Sequence, residues 1–224
     1  MNLFLQAFAW LTDPANWAGA SGIWARLGQH LAIVGVVLVI AGVIALPVGV
    51  AIGHARRGEH VIAAIAGAAR AIPTLGLLTV LGLMLGIGLA APTIVLVVLA
   101  IPPMLAGAYS GVANVDSGTV KAARAIGMSR WQTVTRVELP LAAPIIVGGI
   151  RSAVVQVIAT ATLAAYIADA GLGRFIFSGL STRRYDEMLG AAVVVIALAL
   201  VADLAFAGGL AYTQRRSRVR AKAG

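Results

Sequence analysis

Residues 71–115 read AIPTLGLLTVLGLMLGIGLAAPTIVLVVLAIPPMLAGAYSGVANV, a run of 45 residues without a formal charge. A helix of about 20 apolar residues crosses the hydrocarbon core of a bilayer, so this run is long enough for two crossings. The stretch GIGLAAP at residues 86–92 supplies the glycines and the proline of a turn between them. The run therefore predicts two membrane helices joined by a short connection.

The composition of the whole chain supports this interpretation. Of its 224 residues, 60% are hydrophobic and 11% are charged, and the mean hydropathy is +0.96. Ordinary soluble domains are about 45–50% apolar and about 25% charged, and disordered segments are poor in apolar residues, so both classes are excluded. The chain has no cysteine, which rules out disulfides, thiolate metal sites and thiol catalysis.

Three further windows are almost free of charge. Residues 27–55 carry none, residues 139–168 carry only Arg151, and residues 188–214 carry only Asp203. The sequence therefore predicts an all-α, polytopic bundle of five core transmembrane helices. These helices are expected near residues 30–53, 62–86, 91–110, 141–167 and 189–212, and residues 3–11 are expected to form at most an interfacial segment.

The distribution of Lys and Arg predicts the orientation. Two basic residues lie in residues 54–60, four in residues 111–138 and five in the last ten residues. Because short cytoplasmic loops are enriched in Lys and Arg, the N-terminus is expected outside and the C-terminus in the cytoplasm. This placement of the +9 net charge suits anionic lipid headgroups rather than nucleic acid. The predicted regions are an extracytoplasmic or interfacial segment 1–26, a transmembrane domain 27–213 and a basic cytoplasmic tail 214–224.

The longest polar stretch between the predicted spans is residues 114–138, NVDSGTVKAARAIGMSRWQTVTRVE, which is followed by LPLAAP. Asp116 or Ser117 can cap a first short helix, and Gly127 can end it. Ser129 can then cap a second. The stretch is therefore expected to form two short helices with a glycine elbow, which is a rigid docking surface rather than a slack linker.

The same stretch carries a spaced motif. It resembles the EAA loop of type I ATP-binding cassette (ABC) importer permeases, which reads Glu-Ala-Ala, three residues, Gly, nine residues, Ile, one residue, Leu-Pro. The matching positions are Lys121, Ala122, Ala123, Gly127, Val137, Leu139 and Pro140. Lys121 replaces the family's Glu and Val137 its Ile, so an ion pair made by that Glu is not carried over. Pro140 is expected in the first turn of the next membrane helix.

In that family the loop is a coupling helix that inserts into a cleft on the nucleotide-binding subunit, so we call residues 114–140 the coupling segment. The resemblance implies that Ala122, Ala123 and Gly127 pack there. It also implies three partners: a dimer of ABC ATPase subunits, a second permease subunit that is identical or paralogous, and an extracytoplasmic solute-binding protein. The chain has no Gly-Lys-Ser/Thr phosphate loop, so no cofactor is expected on it, and ATP and Mg belong on the partner ATPase.

The likeness extends over about residues 27–210. RAIPTL at residues 70–75, GIRSA at 149–153 and TATLAA at 160–165 are similar to stretches of the permeases for glycine betaine, carnitine, choline and proline betaine. The resemblance implies a non-enzymatic osmoprotectant permease of the bacterial-type plasma (inner) membrane that works by alternating access. Methionine permeases share much of this frame, so a methionine or other amino-acid importer is an alternative. An ATP-independent membrane channel is the alternative from a different class.

Three charges lie inside the predicted spans, where ionisable residues are costly and point to function. Arg70, Arg151 and Asp203 are each 11 or 12 residues from the predicted cytoplasmic boundary, which places them on the order of 16–18 Å from it. Equal depth allows Asp203 to pair with Arg151 or with Arg70, and we hypothesise such a pair near the inner gate. The alternative is that the arginines extend separately to the cytoplasmic interface.

Other polar and aromatic residues admit simpler interpretations. Gln156, Thr160 and Thr162 could line a polar pathway or hydrogen-bond neighbouring helices, and both possibilities stay open. The scattered histidines and the lack of a catalytic set predict neither a metal site nor catalytic residues. An interfacial aromatic belt is favoured over a cation cage for Trp10, Trp17 and Trp24. Close helix packing is favoured for Gly42, Gly49, Gly53, Gly148 and Gly149.

Overall fold

The computed structural model describes residues 2–222, with side chains for all of these except residues 59, 70 and 212–222. Helices and turns make up this part of the chain, which contains no strand and confirms the predicted all-α class. The helices are α1 (Leu3–Thr12), α2 (Ile23–Ala55), α3 (Glu59–Ala71), α4 (Thr74–Leu85), α5 (Ala90–Ala113), α6 (Ser117–Ala125), α7 (Arg130–Thr133), α8 (Leu139–Thr160), α9 (Gly173–Thr182) and α10 (Tyr185–Lys222). Short 3-10 helices cover Pro14–Asn16 and Ala161–Tyr166, and a π-helical turn covers Val134–Glu138.

Four helical runs of the described chain are long and apolar enough to cross a membrane. They are Ile23–Ala55, Ala90–Ala113, Arg130–Tyr166 and Tyr185–Ala211. The count becomes five if α3 and α4 together form one broken span. The four runs coincide with four of the predicted spans, and the orientation of the termini stays a prediction.

The predicted second span, residues 62–86, is not one continuous helix. Helix α3 ends at Ala71 and α4 begins at Thr74, with Pro73 at φ −68° and ψ 108° between them. Proline lacks the N–H that would continue a helix, and it forces the residue before it, here Ile72, away from the helical region. The sequence reading was therefore wrong about the continuity of this span.

The run before the fourth predicted span is also longer than expected. Helix α7 passes through the π turn directly into α8, so Pro140 lies in the first turn of α8, as predicted, but within a helical run that is continuous from Arg130. The N–H of Leu139 bonds to the carbonyl of Val134, five residues back. A proline ring crowds the carbonyl four residues before it. The wider π turn just before Pro140 accommodates that crowding.

The chain divides into two compact units, and α2, α5, α8 and α10 each contribute to both. The first contains residues up to 40, 72–100 and 154–202. Its core comprises the buried residues Leu78, Val95 and Leu99 with Leu77, Leu81, Leu163 and Ile167 packed against them. The second contains residues 41–71, 101–153 and 203 onward. Its core comprises Val112, Val115, Val120 and Ala142 with Val50, Leu139 and Ile146 packed against them.

Glycines bring helices of the second unit into close contact. A Cβ at Gly149 in α8 would lie 2.7 Å from the Pro103 carbonyl oxygen of α5. A Cβ at Gly49 in α2 would lie 2.7 Å from the Cβ of Ala108, also in α5. Small residues allow such backbone approach between membrane helices. The packing interpretation is therefore confirmed at both glycines.

The other three glycines of that set differ among themselves. A Cβ at Gly53 would lie 2.8 Å from the Tyr109 carbonyl oxygen, which also confirms close packing. A Cβ at Gly42 would make only ordinary contacts at 3.9–4.0 Å. A Cβ at Gly148 would have no described atom within 4 Å, so the interpretation is wrong for Gly148 within the described part of the chain.

Helix α1 packs on the first unit through Trp10. The Trp10 ring lies 5.4 Å from the Phe175 ring in an edge-on arrangement, and the Trp10 side chain is buried. Trp10 therefore does not belong to an interfacial belt, whereas Trp24 is 63% exposed and its ring lies 4.9 Å from the Trp17 ring at a tilt of 53°. At ten residues α1 is about 15 Å long, too short to span a bilayer.

Candidate coupling surface and intramembrane polar contacts

The coupling segment begins with a capped helix. The Asp116 carboxylate accepts hydrogen bonds from the Thr119 N–H at 2.7 Å and from the Thr119 hydroxyl at 3.0 Å, which confirms the predicted cap of α6. These bonds, the backbone one first, hold the pKa of Asp116 below its ordinary value. The cap therefore stays charged at neutral pH and satisfies a donor at the start of α6.

Helix α6 ends at the predicted glycine elbow. Gly127 has φ +89°, a backbone conformation that glycine adopts at little cost. Its N–H bonds to the Arg124 carbonyl at 3.0 Å, and the Met128 N–H bonds to the Ala123 carbonyl at 3.2 Å. These two bonds form a Schellman motif, which fixes the direction in which the chain leaves α6.

Two reciprocal hydrogen bonds cap the N-terminal end of the second short helix. The Ser129 hydroxyl accepts from the Gln132 N–H at 3.2 Å, and the Gln132 side chain accepts from the Ser129 N–H at 2.8 Å. This capping box confirms the predicted start of α7. Because both ends of the elbow are hydrogen-bonded, the segment presents a defined shape to a partner.

The motif residues of the coupling segment have different environments. Lys121, Ala122, Gly127 and Pro140 are exposed, Val137 and Leu139 are partly buried, and Ala123 is buried within the chain. Ala123 therefore supports the fold of α6 and is not part of its outer surface. The sequence interpretation missed Ile126 and Trp131, which are 78% and 75% exposed. Two large apolar side chains in a polar stretch were the available signal.

The C-terminal end of α2 reaches the coupling segment through polar side chains. His54 Nδ1 lies 2.6 Å from Glu138 Oε2, and His54 Nε2 lies 3.3 Å from an Arg124 guanidinium nitrogen. Arg56 also donates to the Val115 carbonyl. Sequence reasoning gave no role to His54 or Glu138, which are 84 positions apart in the chain.

The structure brings Arg151 of α8 and Asp203 of α10 together. Arg151 donates from Nε to one carboxylate oxygen and from Nη2 to the other, both at 2.6 Å. Each side chain is 34% exposed, so the pair is half-buried in this chain. The side chain of Arg70, the other arginine considered, lies outside the described residues.

Gln156 bonds to a neighbouring helix. Its side-chain amide donates to the Leu99 carbonyl of α5 at 3.2 Å. The residue four positions after Leu99 is Pro103, which has no N–H for that carbonyl. Gln156 therefore satisfies an acceptor that the proline leaves free.

The two threonines bond within their own segment. Thr160 donates to the Gln156 carbonyl at 2.7 Å, and Thr162 donates to the Ala159 carbonyl at 2.8 Å. Backbone carbonyls therefore accept hydrogen bonds from Gln156 and from both threonines, and a place for these residues along a polar pathway stays a prediction.

A further polar cluster in the first unit was not anticipated. Arg26 is 7% exposed and donates to the carbonyl and the carboxylate of Asp169 at 2.8 and 2.9 Å. The Gln29 side chain accepts from Arg26 at 3.1 Å and from the Gly171 N–H at 3.1 Å. These bonds fix the start of α2 to the loop that precedes α9.

Residues 44–219 match the family described as the binding-protein-dependent transport system inner membrane component. This match covers most of the chain. The chain belongs to this family. It is thus the membrane permease component of an ABC importer, with several apolar helices in the bacterial inner membrane.

Known transport permeases are similar to this chain over most of their own length. The glycine betaine/carnitine/choline transport system permease protein OpuCB of Bacillus subtilis is 32% identical over 85% of this chain and 86% of its own. The carnitine transport permease protein OpuCB of Listeria monocytogenes is 35% identical over 86% of this chain and 88% of its own.

Among solved structures, the inward-facing MetNI methionine ABC transporter aligns with a TM-score of 0.72, at 23% identity. The alignment covers 90% of this chain and 98% of that one. At this identity the likeness establishes a shared fold, that of type I ABC importer permeases.

Proposed function

We propose that this permease component imports quaternary-ammonium osmoprotectants: glycine betaine, choline, carnitine or proline betaine. The observation that carries the proposal is the set of curated relatives at 32–35% identity, whose names specify glycine betaine, carnitine or choline. The methionine transporter is similar in fold at only 23% identity, so it says nothing about the substrate. The osmoprotectant reading is therefore favoured over the methionine and channel alternatives.

The energy for transport is proposed to come from a partner ATPase that docks on the coupling segment. Ile126 and Trp131 would supply apolar anchors, since large aromatic and aliphatic side chains in pockets dominate many interfaces. Lys121 and Ala122 lie on the exposed surface of the same segment. A coupling helix held by a Schellman motif and a capping box would transmit displacement of the ATPase with little loss. ATP and Mg would be bound by that partner and not by this chain.

The remaining partners follow from the exposed apolar surface and the family. The apolar part of α10 is only 17% buried within the chain, and that of α2 only 28%. Lipid and a second permease subunit, identical or paralogous, would cover this surface and complete the pathway. An extracytoplasmic solute-binding protein would deliver the substrate and hold most of the selectivity. ATP-driven closure of the ATPase dimer would then switch the pathway between inward- and outward-open forms.

The proposal is tested by uptake of labelled glycine betaine, choline, carnitine and methionine into cells with and without this chain, at low and high osmolarity. We expect deletion to abolish betaine, choline or carnitine uptake and to leave methionine uptake unchanged. Gly127→Pro should also abolish osmoprotectant uptake, since proline fixes φ near −65° where Gly127 has +89°. Gly148→Ala, at a position with open space around it, serves as the control.

Each other result has a definite meaning. Loss of methionine uptake alone would keep the fold and replace the substrate. Uptake that persists in Gly127→Pro, or that needs no ATP, would contradict the coupling mechanism and favour a channel.

A further inference from the structure

A buried carboxylate lies beneath the coupling helix. Glu138 ends the π turn, and its residue is 1% exposed. Its partner is His54, near the C-terminal end of α2, at 2.6 Å between Nδ1 and Oε2. A carboxylate buried to this extent is costly unless it is paired and hydrogen-bonded, and the contact with His54 offsets that cost.

Arg124, which also contacts His54, determines which atoms donate and which accept in these hydrogen bonds. Arg124 of α6 lies 3.3 Å from His54 Nε2, and a guanidinium group can only donate. His54 Nε2 therefore accepts, and Nδ1 carries the proton that is donated to Glu138. The result is one chain of hydrogen bonds, Arg124 to His54 to Glu138, that joins α6, α2 and the π turn.

Other charged groups lie beside the Arg124–His54–Glu138 hydrogen bonds and do not interrupt them. A cavity of about 340 Å³ opens beside it, and its lining includes Arg56, Lys121 and Ser117. Arg56 is held by the Val115 carbonyl. The cavity means that apolar side chains do not fill the space between the end of α2 and this face of α6. The hydrogen-bonded chain bridges that space.

Helix α6 is also held by apolar packing that does not depend on the Arg124–His54–Glu138 hydrogen bonds. Val120 is buried against Val112, Val115 and Ala142, from α5, the loop after it and α8. Loss of the polar contacts would therefore leave α6 folded and attached. What would be lost is its link to α2 at Arg124.

We propose that Arg124, His54 and Glu138 are positioning residues that make α6 move together with α2 and the π turn that leads into α8. The proposal rests on the proposed function, in which a partner ATPase displaces α6. In this arrangement a displacement of the coupling helix reaches two membrane-spanning helices directly through hydrogen bonds. Without the link, ATP hydrolysis would move α6 and leave α2 behind.

The test uses the absence of natural cysteine from the chain. Ala51→Cys in α2 and Ala125→Cys in α6, both exposed positions, are spin-labelled in the complete complex with its ATPase and solute-binding protein in lipid nanodiscs. The distance between the labels is measured by electron paramagnetic resonance, with and without ATP. Transport per ATP hydrolysed is measured on the same variants without labels.

We expect a single distance in the unaltered sequence that ATP does not change. Arg124→Gln, which is too short to reach His54, and Glu138→Met, which has no oxygen acceptor, should each broaden it in the presence of ATP and reduce transport per ATP by about tenfold, a typical coupling effect. The double variant should be no worse than either single one, because both break the same chain. Arg130→Gln removes a neighbouring exposed arginine of the coupling segment and should change neither quantity.

The opposite results would overturn the proposal. These are an unchanged distance and unchanged transport per ATP in Arg124→Gln, or losses that multiply in the double variant. Arg124 is exposed, so its variant carries the test if Glu138→Met does not fold. If no ATPase co-purifies with the unaltered chain, the proposed function fails. In the isolated chain, a broader distance between the labels in Arg124→Gln than in the unaltered sequence would still support the link, and an identical distance would count against it.

Discussion

Arg151 and Asp203 form a two-point hydrogen-bonded ion pair within apolar helices. Both bonds are 2.6 Å, and the fork of the guanidinium matches the carboxylate. An unpaired charge at this depth would be costly, so each residue accounts for the presence of the other. Each side chain is one-third exposed in the single chain, so the pair is not fully enclosed by it. Its role near an inner gate stays a prediction.

Reversing one charge of this pair tests whether the contact matters. Asp203→Arg should sharply lower the yield of assembled complex, because it places two arginines together among apolar residues. Arg151→Asp combined with Asp203→Arg should restore much of that yield. Size-exclusion chromatography of the complex in detergent measures the outcome. Failure of the double variant to restore assembly would contradict a direct pair.

A second test concerns the hydrogen bond from Gln156 to the Leu99 carbonyl, for which Pro103 has no N–H. Gln156→Leu should destabilise the chain by about 1–3 kcal/mol, because the Leu99 carbonyl loses its donor. Thermal unfolding in detergent measures this loss. Thr160→Val is the control, since the Thr160 hydroxyl bonds only to carbonyls of its own helix. If Gln156→Leu changed substrate preference and not stability, the residue would belong to the pathway.

The sequence could predict some of these contacts and not others. Equal depth along the helices pointed to Arg151 and Asp203 as partners, since helical rise per residue is constant. It could not separate Arg151 from Arg70, because depth alone does not specify which helices are neighbours. The contact between His54 and Glu138 could not be predicted from the sequence, for a different reason. The π turn shifts every later residue to a new face, and no sequence period predicts such a turn.

At the scale of elements, glycines determine how closely helices approach. Gly149 in α8 packs against Pro103 and Gly107 of α5, whereas its neighbour Gly148 has open space. Composition suggested close packing for both, because a glycine pair carries no information about which member faces the neighbouring helix. The structure separates the two roles.

Adjacent glycines therefore make a matched pair of variants. Gly149→Ala should destabilise the chain by about 1–3 kcal/mol through overpacking, since its Cβ would lie 2.7 Å from a backbone oxygen. Gly148→Ala should be neutral or stabilising by up to ~1 kcal/mol, since alanine favours helix. Melting temperatures in detergent compare the two. Equal effects would contradict the packing of α5 on α8.

Hydropathy predicted where apolar helices lie but not whether they are continuous. Residues 62–86 are apolar enough for one span, yet Pro73 divides them into α3 and α4. At residues 130–140 the reverse occurs, because a π turn keeps the helix continuous through a proline. Caps were predictable because their signals are local, as at Asp116, Gly127 and Ser129.

At the scale of the whole molecule, the chain is incomplete without partners. Large apolar side chains remain exposed along its spans, among them Val43, Leu83 and Leu204 at 70%, 83% and 68%. Exposed apolar surface of this extent is typical of a protein surrounded by lipid, and a second permease subunit is the further cover that we propose. The coupling segment, in contrast, exposes polar and basic residues around two apolar anchors. This division fits a membrane component that takes its energy and its substrate from other proteins.

We propose that this chain couples ATP hydrolysis by its partner to osmoprotectant import. The most direct test is uptake of labelled glycine betaine, choline and carnitine into vesicles that contain the chain with its partner ATPase and solute-binding protein. We predict accumulation of at least one of them that requires ATP on the side of the coupling segment and is lost in Gly127→Pro. Equilibration without ATP would contradict coupling to the ATPase, and accumulation of methionine instead would contradict osmoprotectant import.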